Sequence, residues 1–285
     1  MTTTLATSQT GPAGSEPVEA SAWKQRLQAG LRDLRGGIGR SELWLFLGWR
    51  DVRKHYSRSK LGPLWLTLSM GVLVASLGLL YSQIFKMEIT TYLPYLTVGF
   101  IVWNLISGII IGACYSVSGA AGFIRQMHMP ASVYMLKFVW SQLITFGHNA
   151  LIYVVVAVLF GIWPGLTGLL ALPALALLTI NGVFICMILG PLCARFRDVP
   201  MVVASLVQIA FFLTPIVWSA EQLPERAILV SANPFYHFIE IIRDPLLAQP
   251  IELSNWLACL AITVVHGGVA LLFFSRFRSR IAYWA

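Results

Sequence analysis

The chain has 285 residues, of which 57% are hydrophobic and 11% charged, with a formal net charge of +8. Soluble domains carry roughly a quarter of their residues as charges, so an ordinary soluble enzyme is excluded. The surplus cations do not make a nucleic-acid surface either: half of the 20 Lys and Arg precede Pro63 and three follow the last apolar run, as in segments held against anionic headgroups.

Met1 to Ala20 is rich in Thr, Ser, Gly, Pro and Ala and lacks the apolar core of a signal peptide. Residues 1–40 read as a disordered, basic cytoplasmic tail, and 41–285 as one membrane domain. From Ser41 to Lys60 the pattern is an amphipathic helix: Leu45, Trp49, Val52 and Tyr56 share one face, and Arg50, Lys54 and Arg58 the opposite one. Aromatic residues on one side and cations on the other predict a helix lying in the membrane interface. Leu61-Gly62-Pro63 ends it.

Gaps between charges then predict six spans, since one span needs about 20 apolar residues. They are Leu64 to Phe85, Leu93 to Tyr115, Val133 to Phe160, Leu166 to Leu192, Val199 to Ala220 and Leu253 to Ser275. The third and fourth share a stretch, Phe138 to Ala194, without any Asp, Glu, Lys or Arg, divided by the turn signal Gly161-Ile162-Trp163-Pro164-Gly165. With six spans both termini lie on one side. All cations except Lys86, Arg226 and Arg243 fall on that side, so the positive-inside rule makes it cytoplasmic. The segment from Glu221 to Glu252 is too apolar for an ordinary loop. Asn233-Pro234 is a helix start, with Asn as cap and Pro at the first position, and Asp244-Pro245 signals the end. A short apolar helix outside the spans is read as re-entrant or interfacial. The fold class is therefore all-α: a polytopic membrane protein with an interfacial N-terminal helix, six spans and an external re-entrant segment before the last one.

Candidate sites are sparse. Asn104, Gln142, His148, Asn149, Asn181, Gln208 and His266 are the polar side chains inside spans; they serve either a functional site or hydrogen bonding between helices. No span holds Asp or Glu, and there is no phosphate-binding loop, so an energy source must come from another chain. The cysteines Cys114, Cys186, Cys193 and Cys259 lie in apolar runs at spacings that suggest packing, not a disulfide framework or metal site. The aromatic residues form interfacial belts or a lining on which sugar rings slide; Tyr81, Trp103, Tyr115 and Tyr153 are the chosen pathway candidates. Arg50, Arg53, Lys54, Arg58 and Lys60 either anchor the helix to anionic lipid or recognise a phosphorylated headgroup.

The run His55-Tyr56-Ser57-Arg58-Ser59-Lys60-Leu61-Gly62-Pro63-Leu64-Trp65 resembles the start of the first span in type-2 ABC exporter permeases, in particular those for O-antigen, capsular polysaccharide and teichoic acid. Asn233-Pro234 and the helix after it resemble that family's external re-entrant segment, and the likeness covers about Ser41 to Ser275. The resemblance implies a homodimer in the bacterial inner membrane, served by two copies of a separate ATPase that binds ATP and Mg, while this chain binds no cofactor and is no enzyme. It implies a lipid-linked polysaccharide substrate, carried on undecaprenyl pyrophosphate from cytoplasm to periplasm, with O-antigen the first choice. It implies that Gly122, Phe123, Ile124, Arg125 and Gln126 form the coupling segment to the ATPase, and that Asn233, Pro234, Phe235 and Tyr236 belong to an external gate. The alternatives are a type-2 exporter of drugs or small lipids and a membrane-embedded acyltransferase using His148 or His266.

Overall fold

A run of apolar side chains in lipid must satisfy its backbone internally, and helices do so. The computed structural model describes residues 18–55, 64–122, 129–220 and 227–284. The described residues form α1 (Val18–Ile38), α2 (Ser41–His55), α3 (Leu64–Phe85), α4 (Ile89–Ala113), α5 (Ser132–Phe160), α6 (Ala171–Arg195), α7 (Val199–Leu213), α8 (Ala227–Ser231), α9 (Pro234–Leu246), α10 (Leu253–Phe277) and α11 (Ile281–Trp284), with short 3-10 turns between some of them. Five of these helices, α3 to α6 and α10, are long and apolar enough to cross a membrane, and α7 is a shorter apolar helix. The expected all-α polytopic architecture is present.

Helix α4 is the hub: α3, α5, α6, α7 and α9 all pack on it. Its side chains Leu96, Val98, Ile101, Val102, Ile106 and Ile109 are buried, so most of its surface is covered by protein. By contrast α3 exposes Leu68, Val72, Leu79 and Ile84, and α7 exposes Met201, Leu206, Ile209 and Phe212. The turn between α5 and α6 is as expected, with Gly161 at φ 67 closing α5 in the left-handed conformation that suits glycine.

Three expectations need correction or addition. The tail was expected to be disordered to residue 40, but Val18–Ile38 is a helix that packs on α5 and α10. Its inner face repeats at helical spacing: Trp23, Leu27, Gly30, Leu34 and Gly37 are partly or fully buried. Asp33 on that face accepts from the backbone N–H groups of Ala131 and Ser132 (3.3 and 3.1 Å) and from Ser132 Oγ (2.9 Å), and pairs with Arg278 Nε at 2.9 Å. This clasp puts the chain's N-terminal helix against its C-terminal end, so both lie at one face of the molecule.

The second adds to the reading of α2 as an interfacial helix: one side of it docks on α5. Trp44 meets Trp140 edge-on at 6.4 Å, Gly48 is buried beside that ring, and Asp51 pairs with Lys137. Trp49 is left 54% exposed.

The third is the expected span from Val199 to Ala220, which is helical only to Leu213. Fifteen residues at 1.5 Å each give about 22 Å, short of a bilayer core of about 30 Å. Pro215 disfavours helix at the residue before it, and Thr214 is accordingly extended at φ −98, ψ 134. The opened backbone is satisfied by side chains from elsewhere. Tyr92 Oη donates to Val217 O (2.6 Å), and Tyr95 Oη to Pro215 O and Trp218 O (3.2 and 3.1 Å). Arg243 Nη2 also donates to Pro215 O at 3.0 Å. Irregular backbone at this depth is tolerable because protein groups cap it.

Candidate functional site

Helix α9 begins as expected. Asn233 Oδ1 accepts from Phe235 N at 3.0 Å, and Pro234 occupies the first turn, where its missing N–H is harmless. Asn233 Nδ2 also donates to Thr214 Oγ1 (2.9 Å), tying this start to the broken end of α7. The Phe235 ring lies 5.6 Å from Trp103, in the middle of α4, so the helix starts at mid-span depth and is re-entrant. It ends at Leu246, with Pro245 inside its last turn, slightly beyond the expected stop. Of the four gate candidates, Pro234 and Phe235 line an apolar cavity of about 350 Å³ that also holds Asn181 and His266, whereas Tyr236 lines a different, polar cavity of about 530 Å³.

The polar cavity lies at the start of α4, the end of α9 and the start of α10, at the other end of α10 from Arg278. Its wall contains the most unusual side chain in the protein. Arg243 is 1% exposed, donates from Nη1 to Glu240 Oε1 at 2.7 Å, and stacks over the Tyr95 ring at 3.9 Å. Gly99 makes room for it: a Cβ there would collide with the guanidinium. Asp244 lies one turn beyond Glu240 and also lines the cavity; burial, then its acidic neighbour Glu240, push its carboxyl from the ordinary 3.8 up to about 8. Sequence reasoning counted Arg243 only as an external cation and Asp244 only as part of a helix-stop signal, and placed neither Tyr95 nor Glu240 in a site. The available signal was three charges, Glu240, Arg243 and Asp244, inside an otherwise apolar helix.

The four pathway aromatics do not form one lining within the chain. Tyr81 stacks on Phe85 at 5.6 Å. Trp103 is buried against Phe211 and Phe235. Tyr153 Oη donates to Leu246 O at 2.6 Å, holding the end of α9. Tyr115 is exposed at the opposite end of α4.

Polar span residues divide into two groups. Asn181 Nδ2 donates to Thr263 Oγ1 (2.7 Å) and Asn181 Oδ1 faces His266 Nδ1 (3.1 Å), while His148 Nδ1 meets Ile144 O at 2.8 Å; these are contacts within and between helices. Neither histidine is thereby set up against a nucleophile. Asn104 accepts from Asn149 Nδ2 on α5 at 3.4 Å but is otherwise exposed on α4, and Gln208 and Ser205 are exposed on α7, which packs on α4. On α7 the polar pair Ser205 and Gln208 stands among exposed apolar side chains, Met201, Leu206, Ile209 and Phe212.

Of the headgroup candidates, Arg50, Arg53 and Lys54 are exposed on α2; Arg58 and Lys60 lie outside the described residues. Gly122 is exposed at the end of the turn after Ser118–Ala120, and Phe123, Ile124, Arg125 and Gln126 also lie outside them.

Multiple apolar spans around a buried hub helix, a broken helix whose carbonyls are capped from neighbours, and a re-entrant helix at mid-depth define a polytopic helical membrane domain. The chain belongs to the ABC-2 type transporter family, whose model matches residues 42–247. It is similar to the O-antigen export system permease protein RfbA of Klebsiella pneumoniae, at 22% identity over 236 residues covering 82% of this chain and 91% of that protein. It is also similar to the O-antigen export system permease protein RfbA of Myxococcus xanthus, at 24% identity over 189 residues covering 65% and 72%. The chain is thus a multi-pass permease subunit.

Proposed function

We propose that this chain is the permease of an ATP-driven exporter that moves a lipid-linked O-antigen polysaccharide out of the cytoplasm. The carrying observation is the family match over residues 42–247 together with likeness to an O-antigen permease along 91% of its length. In this reading two copies form the path, and two copies of a separate ATPase, with ATP and Mg, drive it. Both termini face the cytoplasm across the bacterial inner membrane. The exposure of Asn104 on α4 and of Ser205 and Gln208 on α7 supports a hydrated path between copies, because polar groups facing lipid would be unfavourable. Exposed Arg50 and Arg53 on α2 supply cations for a pyrophosphate headgroup. Deleting the gene is expected to remove a surface polysaccharide while its lipid-linked form accumulates inside. An unchanged surface polysaccharide with no accumulation overturns the reading.

A further inference from the structure

We propose that the seam between α4 and α5 is a contact site for the hydroxyl groups of the exported glycan, with the amides of Asn104 and Gln142 as the groups that meet them. The proposal rests on the glycan-export reading and assigns residues and chemistry to one stretch of the path. Gln142 on α5 lies over Gly108 on α4: a Cβ at Gly108 would stand 2.9 Å from Gln142 Oε1, so the glycine leaves the room that the amide occupies. One helical turn away, about 5.4 Å along α4, Asn104 Oδ1 accepts from Asn149 Nδ2 on α5 at 3.4 Å. Asn149 is 3% exposed and its own Oδ1 has no partner among the described residues, so its amide is spent on orienting Asn104. Asn104 itself is exposed, and its Nδ2 makes no hydrogen bond among the described residues. Gln142 is half-buried, and neither end of its amide has a hydrogen-bond partner among the described residues. Ser107, half-buried beside Gly108, spends its proton on the Trp103 and Asn104 carbonyls (2.8 and 3.3 Å) and keeps its lone pairs.

Unpaired amides inside a membrane domain are unfavourable against hydrocarbon, so this seam is suited to face something that hydrogen-bonds. Charge narrows the choice. Helix α4 has no Asp, Glu, Lys or Arg, and Lys137, the single one on α5, pairs with Asp51 on α2. An ionic ligand therefore finds no counter-charge on the seam, whereas a hydroxyl both donates and accepts, as the two ends of an amide require. Gln142 and Asn149 are nearly two turns apart on α5, about 10 Å, so the contact is a ladder along the helix. Neutral hydrogen bonds exchange for one another at small net difference, so a chain of hydroxyls held here can still slide.

The test uses the full chain in cells that make the surface polysaccharide. Photoreactive p-benzoylphenylalanine replaces Asn104 or Gln142, and after irradiation the permease should carry adducts that react for periodate-oxidised sugar. The same residue in place of Val264, exposed and apolar on α10, should give none. Adducts only with a second copy of the chain make the seam a contact between copies, and sugar-negative adducts or none leave it facing lipid or water. Each of these results overturns the proposal, as does equal sugar labelling at Val264. Gln142→Met supplies a second readout, since it keeps the length of the side chain and removes an amide without a partner. Its thermal midpoint should be unchanged or raised while export slows about fivefold, the loss of one neutral hydrogen bond. Unchanged export at normal abundance, or a midpoint that falls together with export, overturns the proposal. Its failure is distinct from that of the export reading. If deletion abolishes the surface polysaccharide but no sugar adduct forms, only the seam assignment falls; if sugar adducts form as stated but deletion changes nothing at the surface, only the export reading falls.

Discussion

Arg243 joins four pieces of the molecule through one side chain: Glu240 on its own helix, Tyr95 on α4, the Pro215 carbonyl after α7, and the space left by Gly99. A buried ion pair contributes little beyond an apolar replacement, but removing one member leaves a charge uncompensated at about 3–5 kcal/mol. Arg243→Met should therefore lower the thermal midpoint of the purified protein steeply, and adding Glu240→Gln should recover part of the loss. A double variant as unstable as the single one would show that the Pro215 and Tyr95 contacts matter more than the charge pair. Asp244 adds a pH dependence. The native state keeps its proton up to about pH 8, whereas the unfolded chain releases it above 3.8. Its contribution is therefore most favourable at low pH and is lost as pH rises from about 4 to about 8. A melting series across that window should slope downward in the wild type and flatten in Asp244→Asn; parallel slopes would remove Asp244 as the source.

Helix α1 shows what an element-level pattern hides. Its composition resembles the tail before it, and the basic residues suggested a solvated or lipid-bound segment. The spacing Trp23, Leu27, Gly30, Leu34, Gly37 was present, but two of its five positions are glycines, which carry no hydrophobic signal and mark close approach only once the partner helix is known. The spans, in contrast, were legible because charge in lipid is so unfavourable that its absence marks them. The break of α7 was half-legible: Thr214-Pro215 announces a bend, but only the packed structure shows Tyr92, Tyr95 and Arg243 waiting for the carbonyls. The start of α9 was fully legible because an Asn-Pro cap acts locally. For α1, Asp33→Ala removes an ion pair and charge-assisted hydrogen bonds, each contributing about 1.5–3 kcal/mol. Tryptic cleavage at Lys24, Arg26 and Arg32 should accelerate at least tenfold on that scale, with the spans intact. Unchanged cleavage rates would mean that α1 is held by its apolar face alone.

At the scale of the whole molecule, the question is which exposed surface meets lipid and which meets water. The candidate site was less legible than the fold because a path formed between copies is invisible to periodicity within one chain: Trp103 and Tyr153, chosen as path aromatics, are engaged in internal packing, while Asn104 and Gln208, equally ready to act as packing residues, are exposed. Chemistry can separate the two surfaces. All four native cysteines are buried, so background labelling by a water-soluble maleimide should be low. A thiol reacts as thiolate, which forms in water and not in hydrocarbon. Asn104→Cys and Gln208→Cys should therefore label readily in membranes containing the assembled protein. Val72→Cys and Leu79→Cys, exposed on the apolar face of α3, test the opposite environment and should stay unlabelled until detergent is added. If Asn104→Cys and Gln208→Cys are as inert as the α3 positions, these polar positions are sealed by helix contact or lipid, and the transported chain must pass along another face of α4.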